Sequence, residues 1–167
     1  HTENANVYYS RISNLFSNKN SGILAEYKRI QNIIKEGNFR YSDTFSVITD
    51  GAISTSGYIG YKTVDDVNAQ YETLKTNQAA KPELIAEYTM ATALVNWFGG
   101  RADKAVELLE ALGTEDEKLL EYKKLHLANM YFYLGETGKS LQTIVDMKPL
   151  TGLQGYQKDI EVLSRLV

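Results

Sequence analysis

Four side chains of this sequence combine a reactive group with a setting that could support catalysis: Glu36, Asp43, Asp50 and His126. Two carboxylates that face each other can hydrolyse a glycosidic bond, one as general acid and the other as base or nucleophile. Acidic residues are, however, also ordinary at turns and helix caps. His126 is the one internal histidine and cysteine is absent, so we predict no metal cluster and no cysteine nucleophile. We expect His126 to be a packed residue of a helix.

Residues 135–140, GETGKS, share the GK[ST] ending of the loop that binds nucleotide phosphates. That loop follows a strand and opens a helix, because its backbone amides must converge on the anion. Here a strongly helical run precedes Gly135, and the first part of the motif is incomplete. We therefore predict a turn between two helices at this point, and no cofactor.

The composition is typical of one globular domain. With 167 residues, of which 43% are hydrophobic and 23% charged, the chain can bury a core without disulfides. Its formal charge of −3 gives no positive field for a nucleic-acid backbone, so nucleic acid is not an expected partner. No run approaches the ~18 to 20 apolar residues that span a bilayer, so direct membrane insertion is not expected either.

The first residue is His1 and the first methionine is Met90, so we expect a processed or trimmed form of a longer product. Removal of a signal or anchor from that product is one option, and the compartment stays open. The localisation that this favours is an extracytoplasmic or envelope-anchored protein.

Helical signals dominate the second half of the chain. Residues 119–134 are rich in helix-forming residues and end at Gly135, and residues 82–98 start with proline and end at Gly99 and Gly100. Both stretches are apolar on more than one face, so each must be covered on several sides. Shorter amphipathic stretches follow them, at residues 102–112 and 138–147.

The first half is less regular. Residues 23–35 carry a helical stripe that ends at Gly37, and Thr63 with Asp66 resembles a capping box before residues 64–74. Residues 153–166 resemble a closing helix that shields the preceding helices.

The stretch 39–61 allows two structures. A helix capped by Ser42 and ended by Gly51 is favoured, with residues 54–60 as a loop. The alternative is a β-hairpin that turns at Asp50 and Gly51.

Two segments of the chain align with an offset of 35 residues, which places Gly100 over Gly135. An offset near 34 is typical of repeated helical hairpins. Small residues allow two helices to cross closely, and large residues fill the space between them. Small and large residues match in this alignment: Ala93 with Ala128, Ala105 with Ser140, Leu109 with Ile144, and Leu112 with Met147.

The second segment has the residue spacing of the tetratricopeptide signature, with Leu127, Ala128, Tyr131, Gly135, Ser140 and Ile144 in its large, small, aromatic and glycine positions. The chain therefore resembles the tetratricopeptide repeat (TPR) family. The first segment keeps Ala93, Gly100 and Ala105, but Asn96 stands in the aromatic position. A weaker copy at residues 30–42 includes the turn-like sequence EGNF.

The resemblance implies an all-α fold, a right-handed stack of antiparallel helical hairpins (a TPR-like α-solenoid) with a C-terminal capping helix. It implies one domain, residues 1–167, with an irregular part at 1–80, two better repeats at about 82–148 and the capping helix at about 153–166. In this family the first helix of each hairpin lines a concave groove. The resemblance places seven residues there: Met90, Leu94, Trp97, Tyr122, Asn129, Phe132 and Tyr133.

The predicted function is that of a protein-interaction scaffold, not an enzyme, which binds a peptide or helix of another protein through an aromatic groove. Self-association is a further option. Leu125 stands where family members that hold a C-terminal carboxylate carry lysine, which argues against that ligand. Two alternatives stay open: most of the groove residues are core residues, or the chain is a small helical hydrolase that uses its carboxylates.

Overall fold

The computed structural model describes residues 2–16, 19–37, 59, 61–76, 80–150 and 153–167. Every regular element within these residues is an α-helix, so the predicted all-α class is confirmed for them. The helix or hairpin predicted within residues 39–58 lies outside the described residues. The helices are α1 (Thr2–Leu15), α2 (Asn20–Gly37), α3 (Tyr61–Lys75), α4 (Pro82–Phe98), α5 (Ala102–Ala111), α6 (Glu117–Tyr133), α7 (Thr137–Val145) and α8 (Gln154–Leu166). None of the described helices is both long and apolar enough to cross a bilayer.

The helix ends follow local signals at most of the predicted positions. Helix α4 starts at Pro82, as predicted. Helix α6 starts earlier than predicted because the side chain of Asp116 accepts hydrogen bonds from the backbone N–H groups of Lys118 (2.9 Å) and Leu119 (3.1 Å). The capping box at Thr63 is wrong, since α3 already begins at Tyr61 and Thr63 lies within it.

Helices α4 and α5 form one hairpin, and α6 and α7 form another of the same layout. Helices α4 and α6 start 35 residues apart and also end 35 residues apart. Gly100 (φ 79°) and Gly135 (φ 78°) lie at the corresponding turns in the left-handed region. In both turns the residue after this glycine donates its backbone N–H over 2.8 Å to a carbonyl five residues earlier, Arg101 to Asn96 and Glu136 to Tyr131.

We expect Gly135→Ala to lower the free energy of unfolding by about 1 kcal/mol, because left-handed backbone costs an L-residue roughly 1–2 kcal/mol. Steric contact does not contribute, since no described atom lies within 4 Å of a Cβ added there. The control is Gly138→Ala, which has the same open space but lies inside α7. Alanine favours helices, so this control should leave stability unchanged or raise it. Urea denaturation followed by circular dichroism measures both, and equal losses would contradict the prediction.

Small side chains lie where the two helices of each hairpin cross. Ala93 and Ala105 are fully buried in the first hairpin, and Ala128 and Ser140 are fully buried in the second. The Ser140 hydroxyl also donates a 2.7 Å hydrogen bond to the carbonyl of Ala128 across the crossing. The sequence predicts a close helix crossing at these positions, and the structure places one there.

Helix α4 is enclosed by its neighbours. It contacts α2, α3 and α5, which explains why its sequence is apolar on more than one face. At its C-terminal end, a Cβ added to Gly99 would overlap a methyl group of Val64 in α3, so glycine allows this close approach. The main apolar core therefore surrounds α4 and includes Trp97.

Asn96 departs from the aromatic pattern for a reason that the structure shows. Its side-chain amide exchanges two hydrogen bonds with Asn68 of α3, at 2.8 and 3.0 Å, and Asn96 is fully buried. At the corresponding position of α6, Tyr131 donates a 2.6 Å hydrogen bond from its hydroxyl to Glu110 of α5. In both hairpins the side chain at this position forms a hydrogen bond with the helix that precedes it in the chain. An asparagine therefore pairs with the Asn68 amide of α3, and a tyrosine pairs with the Glu110 carboxylate of α5.

The α1–α2 hairpin packs against α4 through α2. Asn32 of α2 donates a 2.9 Å hydrogen bond to Asn6 of α1. Within α2, the buried carboxylate of Glu26 accepts two hydrogen bonds from Arg29, at 2.9 and 2.5 Å. A charge at this depth is stable because its partner is a guanidinium in a bidentate arrangement.

Candidate functional site

The C-terminal helix α8 lies against α6 through a second apolar cluster, separate from the main core. Leu125 and Ala128 of α6 and Tyr156 and Leu163 of α8 form its buried centre. The ring of Tyr122 meets that of Tyr156 edge-on, with 5.5 Å between the ring centroids. The sequence predicted a closing helix here, and α8 shields one side of α6.

A groove of about 380 Å³ runs between α6 and α8. Its α6 wall has residues 125, 126, 129 and 133, so it extends over about two helical turns, or roughly 12 Å. Leu125 and Leu163 form its floor and belong to the second apolar cluster. Val162 and Leu166 of α8 line the groove and are 50% and 57% exposed. The groove is thus an apolar surface continuous with a packed interface.

The polar side chains of the groove together carry little net charge. Burial lowers the pKa of the His126 imidazole to about 4, so this wall is neutral near pH 7. Asn129 donates a 2.9 Å hydrogen bond to the carbonyl of Leu125 in its own helix, so part of its amide is already used. Lys158 and Asp159 line the α8 wall with opposite charges.

A buried carboxylate, Glu121, anchors the chain between α7 and α8. It accepts hydrogen bonds from Lys124 Nζ (2.6 Å), from the backbone N–H of Lys148 (2.7 Å) and from the Tyr156 hydroxyl (3.3 Å). Burial alone would raise the pKa of Glu121, but the three donors and the Lys124 charge together hold the pKa below its usual value. Glu121 is therefore ionised and fixes the position of α8.

The seven residues predicted for the groove are divided between the core and the surface. Trp97 is fully enclosed and Met90 is 7% exposed, and both belong to the main core. Leu94 is half-buried against the same core. A partner cannot reach Trp97 without unfolding α4 from its neighbours. For Trp97 and Met90, the alternative that they are core residues agrees with their burial.

The four predicted residues of α6 lie close to α8. Asn129 and Tyr133 line the groove itself. Tyr122 and Phe132 pack against the second apolar cluster, and the rings of Phe132 and Tyr133 meet edge-on at 5.3 Å. The structure therefore places the four α6 residues near α8, although Tyr122 and Tyr133 also pack against the main core that contains Met90 and Trp97.

The α8 wall was not predicted from the sequence, where residues 153–166 indicate a capping helix alone. The missed groove residues are Lys158, Asp159, Val162, Leu163 and Leu166. A signal for the groove exists in the sequence, because Val162 adds an apolar position beside the stripe of Ile160, Leu163 and Leu166 that predicts the closing helix. A helix with a wider apolar face than one neighbour can cover leaves part of that face exposed.

The phosphate-loop-like residues 135–140 lie at a helical turn, and the carboxylates of the hydrolase hypothesis lie outside the described residues or have undescribed side chains. Residues 135–140 form a turn and the start of α7 after a helix, so the prediction of a helical turn there is confirmed. No group of three or more potential metal ligands occurs within the described part of the chain. Asp43 and Asp50 lie outside the described residues, as does the Glu36 side chain, so the hydrolase hypothesis stays untested.

Comparison with known proteins gives no relative: no protein-family model matches the chain, and neither a curated protein nor a solved structure shows significant similarity to it.

Proposed function

We propose that this protein is an interaction module that binds an amphipathic helix of a partner protein in the groove between α6 and α8. The observation that carries the proposal is the apolar groove itself, with Val162 and Leu166 about half exposed on a wall that continues into a packed cluster. Exposed apolar surface next to an ordered floor is typical of protein-binding sites. The TPR-like arrangement of hairpins is part of the proposal, because the two hairpins share their layout and turn geometry.

The groove favours a helix over an extended peptide. An extended peptide brings an N–H and a carbonyl per residue, and each buried one needs a hydrogen-bond partner. The floor and part of the α8 wall offer none, since Leu125, Val162, Leu163 and Leu166 supply apolar side chains, and the amide of Asn129 is partly used by its own helix. A helix satisfies its own backbone and presents apolar side chains at three- and four-residue spacing along such a groove.

The charges of the groove limit which charge pattern the partner helix can carry. Lys158 and Asp159 place one charge of each sign on the same wall, and His126 is neutral. A strongly acidic or basic helix would gain from one of these charges and be repelled by the other. The expected partner helix therefore has an apolar face flanked by charges of both signs.

We expect Val162→Glu to weaken binding of a helical ligand at least tenfold, because it places a charge on the apolar wall where it must be desolvated. The ligand is chosen from a displayed library of amphipathic helical peptides by selection against the wild-type protein. The matched control is Leu141→Glu in α7, since Leu141 is equally exposed at 50% but lies outside the groove. Isothermal titration of the selected peptide measures both variants.

The outcomes identify the occupant. Loss of binding with Leu141→Glu but not with Val162→Glu would place the site on the outer face of α7 and contradict the proposal. Selection of peptides that bind in an extended conformation, shown by NMR of the complex, would also contradict it. Sedimentation equilibrium tests a second copy of the chain: a dimer that Val162→Glu dissociates would make the groove a self-association surface. A photo-cross-linking residue at position 162 then captures the natural partner for sequencing, with position 141 as the control.

A further inference from the structure

A small cavity lined by polar and apolar side chains lies where α1, α2, α3 and α4 meet, away from the groove. Its volume is about 10 Å³, which matches the space that one water molecule needs. Three of its polar lining residues, Ser13, Glu26 and Tyr88, are at most 5% exposed, and each comes from a different helix. Gln70 and Thr73 of α3 complete the polar part of the lining.

The Tyr88 hydroxyl is buried at this cavity without a hydrogen-bond partner in the described part of the chain. The residue is 1% exposed, and its hydroxyl oxygen has no hydrogen-bond partner among the described residues. An unpaired buried hydroxyl costs roughly 1–3 kcal/mol, so native structures rarely leave one without a partner. Burial and the nearby Glu26 charge raise the pKa of Tyr88, while Arg29 lowers it, and the net shift is upward. The phenol therefore stays protonated and can donate a hydrogen bond.

The Glu26 carboxylate offers an acceptor in the same cavity. Arg29 donates to both of its oxygens, and each carboxylate oxygen can accept more than one hydrogen bond. Tyr88 does not reach it directly, since no hydrogen bond joins the two side chains. One small molecule that both accepts and donates would complete the connection.

We propose that this cavity binds one structural water, which accepts a hydrogen bond from Tyr88 Oη and donates one to the Glu26 carboxylate. The remaining hydrogen bonds of the water go to Ser13 and Gln70, which line the same space. A bound metal cation is disfavoured, because Arg29 already neutralises Glu26. The water adds hydrogen bonds between the α1–α2 hairpin, α3 and α4 beside the apolar contacts of Ile23 and Leu74.

The test combines a crystal structure with one substitution. We expect electron density for a water within about 3.2 Å of both Tyr88 Oη and a Glu26 oxygen. We expect Tyr88→Phe to lower Tm by about 2–4 °C, because it removes one satisfied hydrogen bond. The matched control is Tyr71→Phe: the two tyrosine rings stack at 6.1 Å, and Tyr71 Oη is hydrogen-bonded directly to Thr89 Oγ1 at 3.1 Å.

The sign of the Tm change in Tyr88→Phe shows whether the Tyr88 hydroxyl is hydrogen-bonded to a water or has no partner. If the cavity is dry, Tyr88→Phe removes an unsatisfied polar group and Tm stays unchanged or rises, while Tyr71→Phe still lowers it. Either that result, or a crystal structure with no water at this position, overturns the proposal. This outcome would not affect the proposed partner groove, which shares no residue with the cavity.

Discussion

Replacement of Trp97 by alanine is expected to lower the free energy of unfolding by about 3–5 kcal/mol. The indole is fully enclosed in the main core, where α4 contacts α2, α3 and α5, so its removal leaves a cavity that these helices cannot close without moving. Urea denaturation should be followed by far-ultraviolet circular dichroism, because Trp97 is the sole tryptophan and its fluorescence is lost in the variant.

Phe132→Ala is the matched control, since Phe132 stands 35 residues later, at the corresponding place in α6. Phe132 is only partly buried and packs against the smaller cluster beside α8, so its loss should destabilise the protein clearly less. A Trp97 variant as stable as the Phe132 variant would contradict the enclosure of α4. Because Trp97→Ala destabilises the fold, part of the variant protein is unfolded and cannot bind a partner. A weaker binding of this variant must therefore be corrected for the fraction of unfolded protein.

The ends of the hairpin helices could be predicted from the sequence because local residues determine them. Pro82 fits the first turn of a helix and has no N–H to leave unsatisfied there, and glycine accepts the positive φ that follows α4 and α6. These are properties of single residues and their immediate neighbours. The structure confirms the sequence prediction at these positions for that reason.

The assignment of Trp97 and Met90 to a groove required knowledge that the sequence does not contain. On a helical wheel they occupy the same positions as Phe132 and Leu125 of α6, so the pattern treats both helices alike. What differs is the neighbours: α2 and α3 cover α4, whereas α6 meets α8 with an open groove between them. Long-range packing decides which corresponding residue is core and which is surface.

Helix α1 is an element that could not be predicted from the sequence, because contacts with another helix stabilise it. Its sequence, TENANVYYSRISNL, contains few strong helix formers, so no clear pattern predicts this helix. In the structure Val7 and Tyr8 are 50% and 64% exposed, so these two large side chains contribute little burial. The helix is stabilised by its contact with α2, including the hydrogen bond between Asn32 and Asn6. Tertiary contacts of this kind override weak local preferences.

Glu121→Ala is expected to lower the free energy of unfolding by about 2–3 kcal/mol and to release α8 from α6. The substitution leaves the backbone N–H of Lys148 without its acceptor and removes the carboxylate that pairs with Lys124. Lys124 keeps its 2.9 Å hydrogen bond to the carbonyl of Asp146, and the Tyr156 hydroxyl keeps only a 3.4 Å contact with the carbonyl of Lys148. Hydrogen exchange should locate the change, with faster exchange in α8 than in α4. An unchanged exchange pattern in α8 would show that the apolar cluster alone holds this helix.

Glu121→Gln separates the charge from the hydrogen bonds, because glutamine still accepts from Lys148 and Tyr156 but does not titrate. The folded state holds the pKa of Glu121 below its ordinary value of 4.5, so the unfolded chain takes up the proton first as the pH falls. The stability from ionised Glu121 is therefore complete above about pH 4.5 and is lost as the pH falls through the folded pKa. Wild type should exceed the glutamine variant in stability at pH 7, and the difference should shrink in acid. A difference that stays constant from pH 7 to pH 3 would mean that the carboxylate charge does not hold α8 in place.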